Sequence, residues 1–261
     1  MSDVEKFEKY TKSLGISEIA YTTIDEEHTT DEMYPNTIVA LIKMDDELLG
    51  VTPDMSLKQK YKELYVVITD IMTKMCDFIE DMGYHTYMID QLDMSMNFSI
   101  IAQKAIMGYI GNNKLLITDS IGPGHKIILI TTDMPVNTTP TKNDIKKRVR
   151  STCSKCYMCV KNCPDHALHI KNGEIYFDKK KCIGYTHGCT YCITVCPFQK
   201  IAENKAKTWK KKLGKKIKTF IKKMRTNKIF FFTLVILKNI EFLIFFFLIT
   251  YLFLLFEFFF L

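Results

Sequence analysis

The sequence predicts an α+β chain in three parts. An N-terminal α/β domain covers residues 1–145, a compact cysteine-rich domain covers 146–202, and the C-terminal tail ends in a transmembrane helix. Three observations predict this. Helical and strand periodicities alternate through the first 140 residues. Eight of the nine cysteines fall within 44 positions. Beyond residue 200 the composition turns first to lysine and then to phenylalanine.

In the first part, Val4, Phe7, Tyr10 and Leu14 keep helical spacing and Gly15 follows as a stop. Ser17–Ile24 and Thr37–Met44 read as strands, the second a nearly unbroken apolar run suited to a buried sheet position. A long helix follows Pro53, with Leu57, Tyr61, Leu64, Ile68, Ile71, Met75, Phe78 and Met82 on one face and Gly83 at its end. Tyr84–Ile89 is a short strand and Phe98–Met107 a second helix. Lys114–Thr118 and Lys126–Thr132 are expected to form a hairpin around Ile121-Gly122-Pro123-Gly124. Thr138–Asn143 is a polar linker, and Asn172-Gly173 marks a small hairpin between the two cysteine runs.

Those runs are Cys153-x2-Cys156-x2-Cys159-x3-Cys163-Pro164 and Cys182-x6-Cys189-x2-Cys192-x3-Cys196-Pro197. The first matches the bacterial ferredoxin pattern, in which three closely spaced cysteines wrap one cluster and the fourth, before proline, ligates the neighbouring one. By that rule Cys153, Cys156, Cys159 and Cys196 hold one [4Fe–4S] cluster, and Cys182, Cys189, Cys192 and Cys163 hold the other. The middle part is thus a bacterial ferredoxin-like two-cluster domain. Zinc tetrads come as separated Cys-x2-4-Cys pairs and do not call for this spacing. Disulfide scaffolds are short secreted chains, whereas Met1-Ser-Asp-Val-Glu-Lys shows no apolar signal core. Free thiolates point to a reducing compartment. Cys76, on the long helix, reads as a buried structural thiol.

Hydrophobic and charged fractions of 47% and 25% are those of an ordinary globular chain and conceal an uneven charge. Positions 201–228 carry twelve Lys/Arg against Glu203 alone, so this stretch is +11 while the remainder is −4. Trp209, Leu213, Ile217, Phe220, Ile221 and Met224 share one helical face, which predicts a basic amphipathic juxtamembrane helix over 203–228. Residues 229–261 form a hydrophobic anchor, and Phe242–Leu261 supplies the roughly 20 residues needed to cross a bilayer. A span centred on Lys238 and Glu241 would cost roughly 2.5–3.5 kcal/mol per charge. The lysines predict a single pass with the N-terminal domains cytoplasmic. Lipid, through 205–261, is the expected partner of this tail. Lysine-rich stretches also bind RNA, but the amphipathic face favours headgroups, and nucleic acid is not expected as a partner.

The stretch Ala102-Gln-Lys-Ala105-Ile-Met-Gly108-Tyr-Ile-Gly111-Asn-Asn113-Lys-Leu-Leu-Ile-Thr118 resembles the Ala-x-x-Ala-Gly-Leu-Gly-x-x-Gly-Lys-Asn-x-Leu-Leu-Ile segment of epoxyqueuosine reductases. A similar segment occurs in reductive dehalogenases. Thr131-Thr132-Asp133-Met-Pro135-Val is similar to the family's Thr-Asp-x-Pro-Leu, and Tyr34-Pro35 before a buried strand also fits. The resemblance covers roughly 4–200. It implies a cobalamin held between the α/β domain and the two-cluster domain, with one cluster close enough to reduce cobalt to Co(I) and the other relaying electrons. It also implies an aspartate proton donor ahead of the first Ala. Asp90 and Asp93 are the candidates, although the Pro and Glu-Arg that follow the family's aspartate are absent. The family's Gly-Leu-Gly is Ile106-Met107-Gly108 here, and a membrane tail stands where some members carry a tRNA-holding helical extension.

His125 after Gly122-Pro-Gly124 reads as part of a tight turn rather than a phosphate cradle. His166, His169 and His187 flank the cluster ligands, where hydrogen bonds would tune potential. Two functions follow. The first is a membrane-anchored iron–sulfur protein that passes single electrons between a donor and an acceptor. The second is a cobalamin-dependent reductase of the epoxyqueuosine reductase or reductive dehalogenase type, acting on a small substrate.

Overall fold

A computed structural model describes residues 1–24, 33–91, 96–137 and 144–226. Met1–Lys205 form one compact unit, and a second unit begins at Ala206. The expected domains 1–145 and 146–202 both belong to the first. Linker residues 138–143, Asp93 and the anchor 229–261, with its span 242–261, lie outside the described residues. Among the described residues no helix is long and apolar enough to cross a membrane.

Helix α1 (Asp3–Ser13) starts at a capping box, with Ser2 Oγ accepting the Glu5 N–H and Glu5 accepting the Ser2 N–H. Strands β1 (Glu18–Thr23) and β2 (Asn36–Lys43) follow. Helix α2 (Met55–Glu80) begins where Asp54 accepts the Leu57 N–H at 2.7 Å. Strand β3 (Thr86–Met88), helix α3 (Phe98–Lys104) and strands β4 (Tyr109–Ile110), β5 (Leu116–Ile117) and β6 (His125–Thr132) complete the body. The long apolar segments fall close to their expected positions.

The sheet itself differs from the expectation in two ways. Its order is β1-β2-β6-β3 and every pairing is antiparallel, so alternating helices and strands do not build parallel crossovers here. The hairpin expected between 114–118 and 126–132 does not form. Instead β5 pairs with β4, while β6 enters the sheet between β2 and β3. The glycine-rich turn, which looked like a hairpin tip, carries the chain from one sheet to the other.

Both faces of the main sheet are covered, which explains the unbroken apolar run in β2. Ile38, Ala40, Ile128 and Ile130 pack with Phe7, Ile68, Met75 and Ile79 from α1 and α2. Val39, Leu41 and Leu129, from the alternate positions, pack with Ile101 and Ala102 of α3. Cys76 is buried in the first of these layers, and burial pushes its thiol up to about 11, as expected for a structural cysteine.

The cysteine-rich segment is mostly short helices. Helix α4 (Ile145–Cys156) ends at Tyr157, in the left-handed region at φ 51°, and α5 (Met158–Lys161) turns away from it. Strands β7 (Leu168–Lys171) and β8 (Glu174–Phe177) form the expected hairpin, with Asn172 and Gly173 both at positive φ. Helices α6 (Gly184–His187) and α7 (Tyr191–Thr194) lead into α8 (Pro197–Thr226). The basic helix expected over 203–228 is therefore the continuation of the helix that starts at the second cysteine-proline step.

Candidate metal centre

The chain places its eight clustered cysteines in two groups. Cys153 and Cys156 lie on the last turns of α4, Cys159 on α5, and Cys196 just before α8. These four thiols line one open pocket together with Asn112, Ile117, Tyr157 and Phe198. Burial raises the Cys159 thiol to about 11, and the neighbouring Cys153, Cys196 and Cys156 push the same way. Cys196 is raised first by burial and then by Cys153 and Cys156. In the other group, Cys192 on α7 is raised to about 12, mainly by burial, with Cys189, Cys182, Cys159 and Cys163 as charged neighbours. Cys189 is likewise raised, with Cys182 and Cys163 beside it. The Cys159–Cys192 neighbourhood is where the two groups approach each other.

No disulfide links any of the nine cysteines. Among the described residues, no three His, Cys, Asp or Glu side chains converge tightly enough for a single metal ion. A tetrahedral zinc would hold every sulfur about 2.3 Å from one point, whereas four thiols around an open cavity suit a larger multi-iron group. The cavity and its donor set thus fit a cluster.

Backbone amides point at the sulfurs. Those of Asn112, Val160 and Tyr191 favour the ionised forms of Cys153, Cys159 and Cys189, and those of Phe198 and Gln199 favour ionised Cys196. The Leu168 N–H donates to Cys163 Sγ at 3.5 Å. Such donors stabilise negative charge on sulfur and tune a bound cluster's potential.

The α+β body holds both groups. One loop reaches both cysteine runs: Asn112 Nδ2 donates to the Cys153 carbonyl at 2.9 Å, and Asn113 Nδ2 donates to the Cys192 carbonyl at 3.4 Å. Under the first group, Ile117 and Tyr109 pack with Ile145, Val149 and Phe198. Under the second, Met44, Leu48 and Leu57 pack with Ile193, and Tyr61 joins them. Tyr61 presses on Gly188, at φ 73°, where a Cβ would come within 2.6 Å of the ring. Burial drives the Tyr61 hydroxyl well above its ordinary range, with Tyr65, Cys189 and Cys192 adding to the effect. Lys126 Nζ lies 5.0 and 4.9 Å from the centres of the Tyr61 and Tyr65 rings. Thr190, 1% exposed, accepts the Gly50 N–H at 3.0 Å and donates to the Leu48 carbonyl at 3.1 Å.

The remaining candidates are not among the clustered thiols, although the His166 N–H donates to the Cys163 carbonyl at 3.3 Å. Asp90 is exposed just after β3. His166 and His187 are exposed, and His169 lies against Tyr176 with ring centres 5.3 Å apart and the rings tilted by 57°. His125 is buried, and burial pushes its imidazole down to about 4, so it is neutral at pH 7. Sequence reasoning missed Thr190 and Gln199. A buried polar side chain carries no periodic signal, and the proximity of each to a cysteine was the only hint.

No family model matches the chain. Tetrachloroethene reductive dehalogenase of Sulfurospirillum multivorans is 27% identical over 195 residues, which is 67% of this chain and 38% of that protein. Epoxyqueuosine reductase of Aliivibrio fischeri is 27% identical over 147 residues, 48% of this chain and 36% of that protein. The chain thus spans little more than a third of these relatives. Among solved structures, a catabolic reductive dehalogenase aligns with a TM-score of 0.61 at 20% identity, over 76% of this chain and 32% of that one. Epoxyqueuosine reductase from Streptococcus thermophilus aligns with a TM-score of 0.55 at 18% identity, over 77% and 67%. Reductive dehalogenases and epoxyqueuosine reductases carry iron–sulfur clusters and cobalamin, the cofactors that the sequence led us to expect. In sequence and in fold, the chain is related to the reductive dehalogenases and epoxyqueuosine reductases.

Proposed function

We propose that this chain is the iron–sulfur relay module of a cobalamin-dependent reductase acting on a small substrate. The observation that carries the reading is the Asn112-Asn113 loop, which bonds to the carbonyls of Cys153 and Cys192 and so ties both cysteine groups to one body. The relatives' activity favours a reductase over a free-standing electron carrier, the other function the sequence suggested.

In this reading Cys153, Cys156, Cys159 and Cys196 hold one cluster, and Cys182, Cys189, Cys192 and Cys163 hold the other. Each cluster, when bound, accepts and releases one electron at a time. The chain's own residues set the conditions. The buried thiols surrender their protons as metal binds. The backbone amides at Cys153, Cys159, Cys189 and Cys196 supply hydrogen bonds to charged sulfur. Phe198 and Ile193, both nearly buried, keep water from the two sites. Cys159 of the first group lies close enough to act on Cys192 of the second.

The test is anaerobic reconstitution with iron and sulfide, followed by titration with cobalamin. The reading expects about eight irons per chain and a shifted corrin spectrum at stoichiometric cobalamin. Full iron loading with an unchanged corrin spectrum would leave an electron carrier, and failure to load iron would remove both functions.

A further inference from the structure

Beyond Lys205, α8 runs as a helix through Thr226, about 30 Å at 1.5 Å per residue. Its residues 206–226 hold ten Lys/Arg and no acidic side chain. Trp209, Leu213 and Ile217 follow one another at intervals of four, so they share a face, and they are 63%, 39% and 49% exposed. Lys207, Lys211, Lys212, Lys215, Lys216 and Lys218 are exposed around the same turns.

Such a helix is poorly provided for in water. Lys207, Lys211 and Lys215, and likewise Lys212 and Lys216, stand four apart, where like charges repel. Gly214 interrupts the run, and a Cβ there would meet nothing within 4 Å, so its helix penalty is not offset by packing. A surface that supplies negative charge to the lysines relieves their repulsion, and an apolar layer covers the exposed Trp209, Leu213 and Ile217. Anionic lipid does this: lysine heads reach the phosphates while their stems and the apolar face enter the acyl boundary. Nucleic acid would match the charge but leave the apolar face wet.

We propose that residues 206–226 lie along the surface of a bilayer rich in anionic phospholipid, with Trp209, Leu213 and Ile217 turned into it. This docking is separate from the redox reading and holds whether or not cobalamin binds.

Trp209 is the chain's single tryptophan, so its fluorescence reports on this helix alone. The full chain, cluster-loaded, is reconstituted into phosphatidylcholine vesicles with and without phosphatidylglycerol, and brominated lipid serves as quencher. The proposal expects a blue-shifted, quenchable Trp209 only where phosphatidylglycerol is present, and reversal by 0.5 M salt, roughly, as screening shortens to a few ångströms. In vesicles with a small fraction of phosphatidylglycerol, the joint replacements Lys211→Gln, Lys212→Gln, Lys215→Gln and Lys216→Gln should abolish the shift, since each lysine contributes about a fivefold preference for such a surface. These side chains are exposed, so the fold should survive. Equal quenching in both vesicle types, a water-exposed Trp209 in both, or a shift produced by RNA but not by vesicles would each overturn the proposal.

Discussion

Gln199 Oε1 accepts the backbone N–H of Gly124 at 3.0 Å, and both groups are buried. Gln199 also donates to Glu203 at 3.1 Å, and its own N–H donates to the Cys196 carbonyl at 3.0 Å. A single side chain thus joins the turn before β6 to the first turns of α8, which begins at the second cysteine-proline step. At Gly124 a Cβ would stand 2.7 Å from that oxygen, and at Gly122 it would stand 2.9 Å from the Phe198 carbonyl oxygen. Gly122 is needed because the backbone of α8's first turn approaches this closely, and Gly124 because the Gln199 side chain does.

Gln199→Leu keeps the volume and strands the Gly124 N–H, a change worth about 1–3 kcal/mol. Gly124→Ala should destabilise by a similar amount, because the side chain it displaces is bonded on both sides. Thermal unfolding of the cluster-loaded protein reads both. An unchanged Tm in either variant would mean that this contact does not secure the cysteines.

The grouping of the thiols makes a crossed prediction. Cys196→Ala should resemble Cys153→Ala, and Cys163→Ala should resemble Cys182→Ala, each losing about four of eight irons. Electron paramagnetic resonance of the remaining cluster distinguishes the pairs. If Cys196→Ala matched Cys192→Ala, its immediate neighbour in sequence, the crossing would be wrong.

Thr190 offers a cleaner test of how the second group is held. Thr190→Val is nearly isosteric but leaves the Gly50 N–H and the Leu48 carbonyl without their side-chain partner. Each stranded buried group costs about 1–3 kcal/mol. Chelator-driven bleaching should therefore become biphasic, with the cluster of Cys182, Cys189 and Cys192 lost first. Uniform bleaching at the parent rate would show that the hydrophobic contacts of Ile193 suffice.

Much of this arrangement was legible before any coordinates. The two cysteine runs were legible from their spacing, and Cys153, Cys156, Cys159 and Cys196 line one pocket. The 3–4 period of α2 and the apolar run of β2 were legible because each buries a long regular face. Strand partners were not. β5 has only Leu116 and Ile117 to offer, and whether β6 pairs back to it or enters the main sheet is decided by contacts with β2 and β3, far away in sequence. The antiparallel order was hidden for the same reason: helices on both faces produce the apolar strands that usually mark a parallel sheet.

Asp90 is the described member of the two aspartates that the resemblance suggested as proton donors. If it serves the reaction, Asp90→Asn should lower turnover by a factor of about 100 or more with little change in KM, the size of a lost general acid. Asp93→Asn is the parallel experiment. Parent-like turnover in both variants would remove them from the chemistry and leave the proton source elsewhere.

Glu18, the first residue of β1, is raised to about 7 by burial and, secondarily, by the Asp119 carboxylate. Asp119 itself is held low, chiefly by its hydrogen bond from Arg148, and Lys205 adds to this at 3.2 Å. Below about pH 4.5 the Glu18 carboxyl is protonated both folded and unfolded, so it does not disfavour folding. As pH rises, the unfolded chain ionises first. Stability is therefore lost progressively from about 4.5 until the folded group itself ionises near 7. Glu18→Gln mimics the neutral acid at every pH. It should match the parent near pH 4 and exceed it at pH 8 by about 1–2 kcal/mol, after allowing for the solvent that still reaches the group. Because every other titration is common to both proteins, the difference in Tm between them isolates this carboxyl. A difference that stays constant from pH 4 to pH 8 would show that Glu18 ionises normally in the folded chain.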